Sequence, residues 1–440
     1  MSETQLPTPT ENSMMQKAQS QSLSEYAQAY MRRLRSGDLG AIPIILGLVL
    51  ITIIFQSLNE NFLTPRNMVN LIVQMAGITV IAIGVVFVLL LGEIDLSIGY
   101  VSAVAAVLVA LLLRGPTGIS GVGRLMERAG LVEPFSWWMA VGVALLLVAL
   151  IGIVQGLIIT RFQLPSFVVT LAGLLVWNGV VLILIGAGGT VIIQDQVIVN
   201  IANYFLPREL AVGGVTLPVN VSWLVGITII VIFALGRVSR WSSRRKRGVS
   251  ATPMLIIVLE IALVALATAG VIHVCNLDRG VPLVGIVMLI LLTFFSFLAT
   301  RTRFGRYVYA IGGNMEAARR AGINVTRIRI TVFMLCSVMA GMGGIVLASR
   351  LRSVDTAAGG GDLLLVSIAA PVIGGTSLFG GRGRVISALL GALVIAAVNN
   401  GMGLLGLSAG VKFVVTGLVL LAAVLVDAIS RRGRTQSGIA

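Results

Sequence analysis

The chain has 440 residues, of which 57% are hydrophobic and 11% charged, with a formal net charge of +15. Soluble domains carry roughly 25% charged residues, so this composition, with a mean hydropathy of +1.01, excludes an ordinary soluble enzyme. The positive charge does not point to nucleic acid, because Lys and Arg cluster in segments between long apolar runs, the pattern of membrane topology.

In chain order, Met1 to Gln21 is rich in Ser, Thr, Gln and Pro and reads as disordered. Ser24 to Arg35 reads as an amphipathic helix on the inner membrane surface, with Arg32, Arg33 and Arg35 at headgroup level. This polar stretch separates the start of the chain from its first apolar run, unlike a cleavable signal. Twelve apolar runs follow, near 41–56, 68–91, 97–113, 137–160, 167–186, 222–236, 254–272, 282–299, 330–349, 363–379, 385–405 and 411–426. Uncharged runs such as Val80–Leu91 and Trp137–Thr160 belong to segments near the ~20 residues that cross ~30 Å of hydrocarbon. They are continuous rather than alternating, so they predict helices and not a barrel. Two of them, 222–236 and 363–379, are short and read as tilted, broken or re-entrant.

With the N-terminus in the cytoplasm, 23 of the 32 Lys and Arg residues fall on the inner side, which predicts both termini inside. The expected layout is an N-terminal tail over 1–39, a membrane domain over 40–430 and a C-terminal tail over 431–440. Two outer segments, near 114–136 and 187–221, are long enough to meet a soluble partner. The inner segment Thr300–Arg329 is long, strongly basic and contains a short helical stretch.

Chemistry-bearing patterns are few. No G-x-x-x-x-G-K-[ST] phosphate loop is present, and none of the three lysines, Lys17, Lys246 and Lys412, follows such a loop. The chain therefore lacks a Walker-type ATP site. One histidine, His273, excludes a histidine-based metal cluster. Cys275 and Cys336 read as small core residues. The run Gly374–Arg384 is glycine-rich and basic, and reads as a break between membrane helices.

Carboxylates at the bilayer centre cost about 2.5–3.5 kcal/mol on insertion scales, which makes each one informative. Gly92–Gly99 places Glu93 and Asp95 between two apolar runs. It is either a short solvated turn or a broken helix whose backbone lines a cavity, and Asp95 and Ser97 either face that cavity or cap the next helix. Glu260, inside an apolar run, either pairs with a basic group, lies near a helix end or couples transport to protons. Asn399 and Asn400 sit mid-span and either bond across helices or meet a polar solute, and Asn178 and Gln155 invite the same two readings. Gly152-x-x-x-Gly156, Gly341, Gly343 and Gly344 permit close helix approach.

Three blocks then carry a family resemblance. Gly92-Glu93-Ile94-Asp95-Leu96-Ser97-Ile98-Gly99 resembles the G-x-x-D-L-S-x-G signature of bacterial monosaccharide ABC-transporter permeases of the ribose, xylose and galactoside branch. The run Ala310 to Ile323 is similar to that family's cytoplasmic A-x-G-x-N-x-x-A-A-x-x-x-G-I loop, and Ile368 to Gly381 to its I-A-A-x-V-I-G-G-T-S-L-x-G-G segment. They occur in family order, and the resemblance spans roughly 40–430. The length of the chain and the basic loop Arg237–Arg247 with a helix pair around it resemble the xylose branch most. Pro371 replaces the family's usual valine and predicts a kink, and twelve runs exceed the usual ten spans.

The resemblance implies an all-α polytopic bundle of the type II, cobalamin-importer-like fold, working as a homodimer in the bacterial inner membrane. It implies three partners: an ABC ATPase subunit that uses the ATP, a periplasmic sugar-binding protein, and membrane lipid. The implied cargo is a monosaccharide, D-xylose first. The loop residues Gly313, Asn314, Glu316, Ala317, Ala318, Ala321, Gly322 and Ile323 would dock on the ATPase. The candidates for lining the sugar path are Asp95, Ser97, Asn178, Gly374, Gly375, Thr376, Asn399 and Asn400, with the aromatic face of Trp177 beside them. The rival reading is an ion-coupled secondary transporter of a small polar solute, for which only Glu260 and Asp95 are available as embedded acids.

Overall fold

The computed structural model describes Gln28 and residues 42–115, 121–130, 133–186, 189–212, 215–217, 219–247 and 252–436. Apart from Gln28 the expected N-terminal tail lies outside the described residues, as does the end of the C-terminal tail after Gln436.

All twelve apolar runs form helices. In chain order they are α1 (Ile42–Leu58), α2 (Pro65–Leu90) and α3 (Ile98–Arg114), then the short α4 (Gly121–Arg128), α5 (Trp137–Arg161) and α6 (Ser166–Ile185). A strand β1 (Thr190–Ile192), the short α7 (Gln196–Asn203) and the hairpin β2 (Leu210–Val212) and β3 (Val215–Leu217) precede α8 (Val221–Lys246), α9 (Met254–Leu277) and α10 (Leu283–Arg301). Two short helices, α11 (Arg303–Gly313) and α12 (Met315–Arg320), lead into α13 (Val325–Leu351) and β4 (Ser353–Asp355). The chain continues through α14 (Leu363–Ile373), α15 (Ile386–Leu404) and α16 (Ala409–Gln436). Eight helices are long and apolar enough to span a membrane among the described residues, with four shorter apolar ones.

Local chemistry sets the helix starts and ends. Pro65 opens α2 at its first position, where the missing N–H carries no penalty. Asn220 caps α8 by accepting from Ser222 N at 3.0 Å, and Asp195 caps α7 by accepting from Ile198 N at 2.9 Å. The short run expected at 222–236 is the apolar part of an unbroken helix, whose last turns carry Arg244, Arg245 and Lys246. The run expected at 363–379 differs more: its helix has 11 residues and ends at Ile373, too short to cross a bilayer. Pro371 is accommodated inside it, near the C-terminal end. At the C-terminus, α16 continues to Gln436, past the expected start of the tail.

The chain divides into two compact units. The smaller contains Leu206–Val281, with the β2–β3 hairpin and the helices α8 and α9. Within it Gly226 lets α8 approach Ile272 of α9, and Arg237 forms an ion pair with Glu260. Glu260 thus adopts the paired arrangement. Few residues of α8 or α9 are buried, while Leu224, Ile232, Leu235, Leu263 and Leu266 are exposed. Helices apolar on their outer surface fit a lipid environment.

The larger unit, Gly40–Phe205 and Pro282–Ile429, holds the core around α13. Helix α13 packs against α2, α3 and α5, and glycines bring these backbones together. A Cβ on Gly344 would lie 2.0 Å from Ser102 O of α3, and one on Gly152 of α5 would lie 2.5 Å from Phe333 O. One end of the bundle carries the antiparallel pair β1–β4, in register Val191 with Val354. There Ser349 of α13 fixes α7: Ala202 N donates to Ser349 Oγ at 2.9 Å, and Ser349 Oγ donates to Val199 O at 3.0 Å. The opposite end carries α11 and α12.

Candidate functional site

The strongest local pattern is the α11–α12 loop. Asn314 ends α11 and caps α12, accepting from Ala317 N at 2.9 Å. Helix α12 closes with Gly322 in the left-handed region at φ 81°. Gly322 N donates to Arg319 O at 3.0 Å and Ile323 N to Ala318 O at 3.1 Å, a glycine-terminated helix end. Asn324 then caps α13 by accepting from Arg327 N at 3.0 Å. Two consecutive asparagine caps with one turn of helix between them make a short, rigid, projecting element. Ala318 is buried and anchors it, whereas Gly313, Glu316, Ala317, Arg319, Arg320 and Ala321 are exposed.

The acidic break after α2 is a largely buried irregular segment, not a solvated turn. Glu93 is 7% exposed and pairs with Arg329 in the first turns of α13, while Asp95 is 3% exposed. Depth follows from the rise of 1.5 Å per residue. Arg329 lies about 6 Å and Gly344 about 29 Å along α13 at that rise, and Ser102 of α3 packs on Gly344. Asp95, just ahead of α3, lies within electrostatic reach of Cys336 near the middle of α13, so α3 starts about halfway along that helix. The segment between Leu91 and Ser97 covers the lower half as irregular, non-helical backbone.

Asp95 closes a turn at the head of α3. Its Oδ1 accepts from Ser97 N at 2.9 Å and from Ser97 Oγ at 2.7 Å. Gln155 of α5 donates from Nε2 to Ser97 Oγ at 3.0 Å, and Gly173 of α6 leaves room for Gln155 and for Trp177 beside it. The positive end of the α3 dipole favours the carboxylate at this position. Asp95 Oδ2, Trp177 Nε1, Ser337 Oγ and Thr376 Oγ1 are buried without a hydrogen-bond partner among the described residues. Asp95 and Thr376 lie on irregular backbone, whereas Trp177 and Ser337 lie inside α6 and α13.

A second interruption lies opposite the first. After β4 the chain returns into the bundle, where Gly359 O would lie 2.4 Å from a Cβ on Gly99, and Leu364 of α14 packs on the same residue. Helix α14 thus starts at the level where α3 starts and runs the other way. Its end is held by Gly374, whose Cβ would lie 1.9 Å from Ser387 O of α15. Gly375 is at φ 96° with open space beside it, and Thr376 is buried against Gly383.

The other candidates lie elsewhere. Asn400 forms a reciprocal amide pair with Asn67 of α2, at 2.8 and 3.0 Å, and donates to Gln74 Oε1 at 3.3 Å. Asn399, half-buried, accepts from Thr416 Oγ1 of α16 at 3.5 Å. Asn178 is half-buried on α6 and is in none of the hydrogen bonds that join Asp95, Ser97 and Gln155. The chain pattern left Arg329 and Tyr309 unassigned, while Gln155 takes the cross-helix bonding role that was one of its two readings. Tyr309 Oη donates to Gly383 O at 2.8 Å, and burial raises its phenol above the usual range, an effect that Arg384 partly offsets.

Comparisons with known proteins identify the family. Residues 67–424 match the family described as branched-chain amino acid transport system / permease component. The xylose transport system permease protein XylH of Escherichia coli K12 is 34% identical over 408 residues, covering 91% of this chain and 94% of that protein. Its Haemophilus influenzae counterpart is 32% identical, covering 91% and 100%. The ribose import permease protein RbsC of E. coli K12 is 31% identical over 383 residues, covering 87% and 92%. No solved structure matches the chain significantly. A match over most of the chain, together with helices able to span a membrane several times, makes this protein a multi-pass permease of that transport-system permease family.

Proposed function

We propose that this protein is the membrane-spanning subunit of an ATP-binding-cassette importer for a monosaccharide, with D-xylose the first candidate. The names of the relatives supply the sugar class, although the family description mentions amino acids. The observation that carries the mechanism is the α11–α12 element, a rigid exposed helix turn set between two long helices. A separate ATPase subunit docks on it through Gly313, Asn314, Glu316, Ala317, Ala318, Ala321, Gly322 and Ile323, Ala318 acting as the buried anchor. The chain has no phosphate loop of its own, and the ATP belongs to that partner. A periplasmic binding protein delivers the sugar to the β1–β4 end, and a second copy of the chain completes the path in the bacterial inner membrane. The α11–α12 end and both termini face the cytoplasm, a reading that the distribution of Lys and Arg supports.

The path runs beside the two interruptions. Asp95, Ser97, Gly374, Gly375 and Thr376 lie on them, and Asn178, Asn399 and Asn400 are the amides proposed near the solute. The test is to purify the tagged protein in mild detergent from its native membrane and measure vanadate-sensitive ATP hydrolysis. Hydrolysis that rises with a sugar-loaded binding protein supports the importer, and the stimulating sugar names the cargo. Intact protein with no hydrolysis favours an ion-coupled carrier, with Asp95 Oδ2 as the acid to test first.

A further inference from the structure

The segments that follow α2, α11 and α14 meet at one point, backbone against backbone. Gly381 N donates to Leu90 O at 2.9 Å. A Cβ on Gly312 would lie 1.7 Å from that carbonyl oxygen and 2.6 Å from Gly381 N. A Cβ on Gly380 would lie 2.8 Å from Gly312 O and 2.9 Å from Gly92 N, and Gly380 and Gly381 adopt φ of 84° and 71°. One turn before Gly312, Tyr309 ties α11 to Gly383 O.

Contacts between side chains yield, because rotamers change. A backbone hydrogen bond closes the contact between Leu90 and Gly381, and α11 is held to the same segment by the close approach of Gly312 and by the Tyr309 hydroxyl, so the three segments have little room to shift independently. Each leads to a different functional element. Leu90–Gly92 opens the irregular stretch that carries Asp95 and Ser97. Gly312 ends the helix before α12. Gly380–Gly383 continues the break that holds Gly374, Gly375 and Thr376. The Glu93–Arg329 ion pair adds a second tie, from the irregular stretch to the helix that follows α12.

We propose that this glycine junction is the mechanical link that carries a displacement of α12 to both interrupted segments together, so that Gly312 and Tyr309 are positioning residues for transport. The proposal rests on the reading of α12 as the ATPase-docking element. A purely structural role predicts lower stability with normal transport per folded molecule. A linking role predicts that ATP hydrolysis and sugar movement separate.

The experiment uses the assembled transporter in proteoliposomes, with its ATPase and binding protein. D-xylose and D-ribose uptake per ATP hydrolysed is measured for the parent, Gly312→Ala and Tyr309→Phe, alongside melting temperature and the amount of bound ATPase. The expected result for Gly312→Ala is a fall in that ratio of about tenfold, within the 5–150-fold range of couplings between sites. Tyr309→Phe, which removes one hydrogen bond, lowers it about threefold. The ATPase stays bound in both variants. An unchanged ratio in both overturns the link. Loss of the ATPase from the variants alone also overturns it, because the junction would then serve docking. Where Gly312→Ala fails to fold, Tyr309→Phe decides, and an unchanged ratio there overturns the proposal. A parent that binds no ATPase refutes the docking reading and the link with it, a result distinct from any variant effect.

Discussion

Replacing Arg329 by methionine tests whether the acidic break is held as part of the bundle. Arg329 Nε pairs with Glu93 Oε1, the two side chains are 16% and 8% exposed, and Glu93 Oε2 has no partner among the described residues. Arg329→Met keeps most of the side-chain volume and leaves a buried carboxylate alone. Breaking a buried pair by removing one partner costs about 3–5 kcal/mol, because the remaining charge stays desolvated. Glu93→Gln should cost less, since the long Arg329 side chain can turn its head towards water. The double variant, Glu93→Gln with Arg329→Met, contains no orphaned charge and should recover at least ~2 kcal/mol relative to the sum of the single changes, within the range seen for contacting residues. Unfolding in mixed micelles with increasing denaturing detergent measures all three, and sugar uptake measured in parallel shows whether the irregular segment keeps its shape. If the two single effects simply add, the residues do not interact and the depth assigned to the 91–97 segment is wrong.

The other predictions concern docking, packing and the amides. Ala317→Trp places a bulky group on an exposed face of α12. It should change stability by less than about 0.5 kcal/mol, yet cut the ATPase that co-purifies severalfold. Gly152→Ala pushes a methyl group into Phe333 O and Met334 Cα and should cost about 1–3 kcal/mol. Gly142→Ala, with open space around it, should gain up to about 1 kcal/mol in the same unfolding assay. Asn400→Leu breaks the amide network to Asn67 and Gln74 and should lower stability by about 0.6–1.7 kcal/mol, the scale of polar contacts between membrane helices. Asn399→Leu should instead lower uptake with the ATPase still bound, and unchanged uptake removes that residue from the path.

The helices were legible because hydrocarbon allows few solutions. A run without charges has to satisfy its own backbone, and each apolar run here does so as a helix. The loop around Asn314 was legible for a related reason: a cap residue, a turn of small residues and a terminating Gly322 are all local signals. The glycine-rich run Gly374–Arg384 marked the break inside the 363–379 segment, but not the contact that imposes it. The segment's residues stay apolar to Ile373, and the helix ends because Gly374 must pass within touching distance of Ser387, a residue of another helix. The partner of Glu93 lies 236 positions away and that of Asn67 lies 333 away. Neither pairing follows from spacing. The α2–α11–α14 junction was hidden for the same reason, since glycine in each separate segment reads only as a turn.

The distribution of polar groups bears on how such a molecule is driven. An ion-gradient carrier needs a membrane-embedded acid free to change partners. Glu260 is paired with Arg237 and Glu93 with Arg329. Asp95 has one oxygen committed to the head of α3. A single free oxygen, held at the start of a helix whose dipole favours its charge, is poorly suited to repeated loading and unloading. Force applied at the surface has a clearer route. The exposed turn of α12 is joined through short, capped connections to α13 on one side and through Gly312 to both interrupted segments on the other. Those segments start at the same depth and run in opposite directions. On the proposed link, a shift of α12 towards or away from the bundle would carry the head of α3 and the end of α14 together.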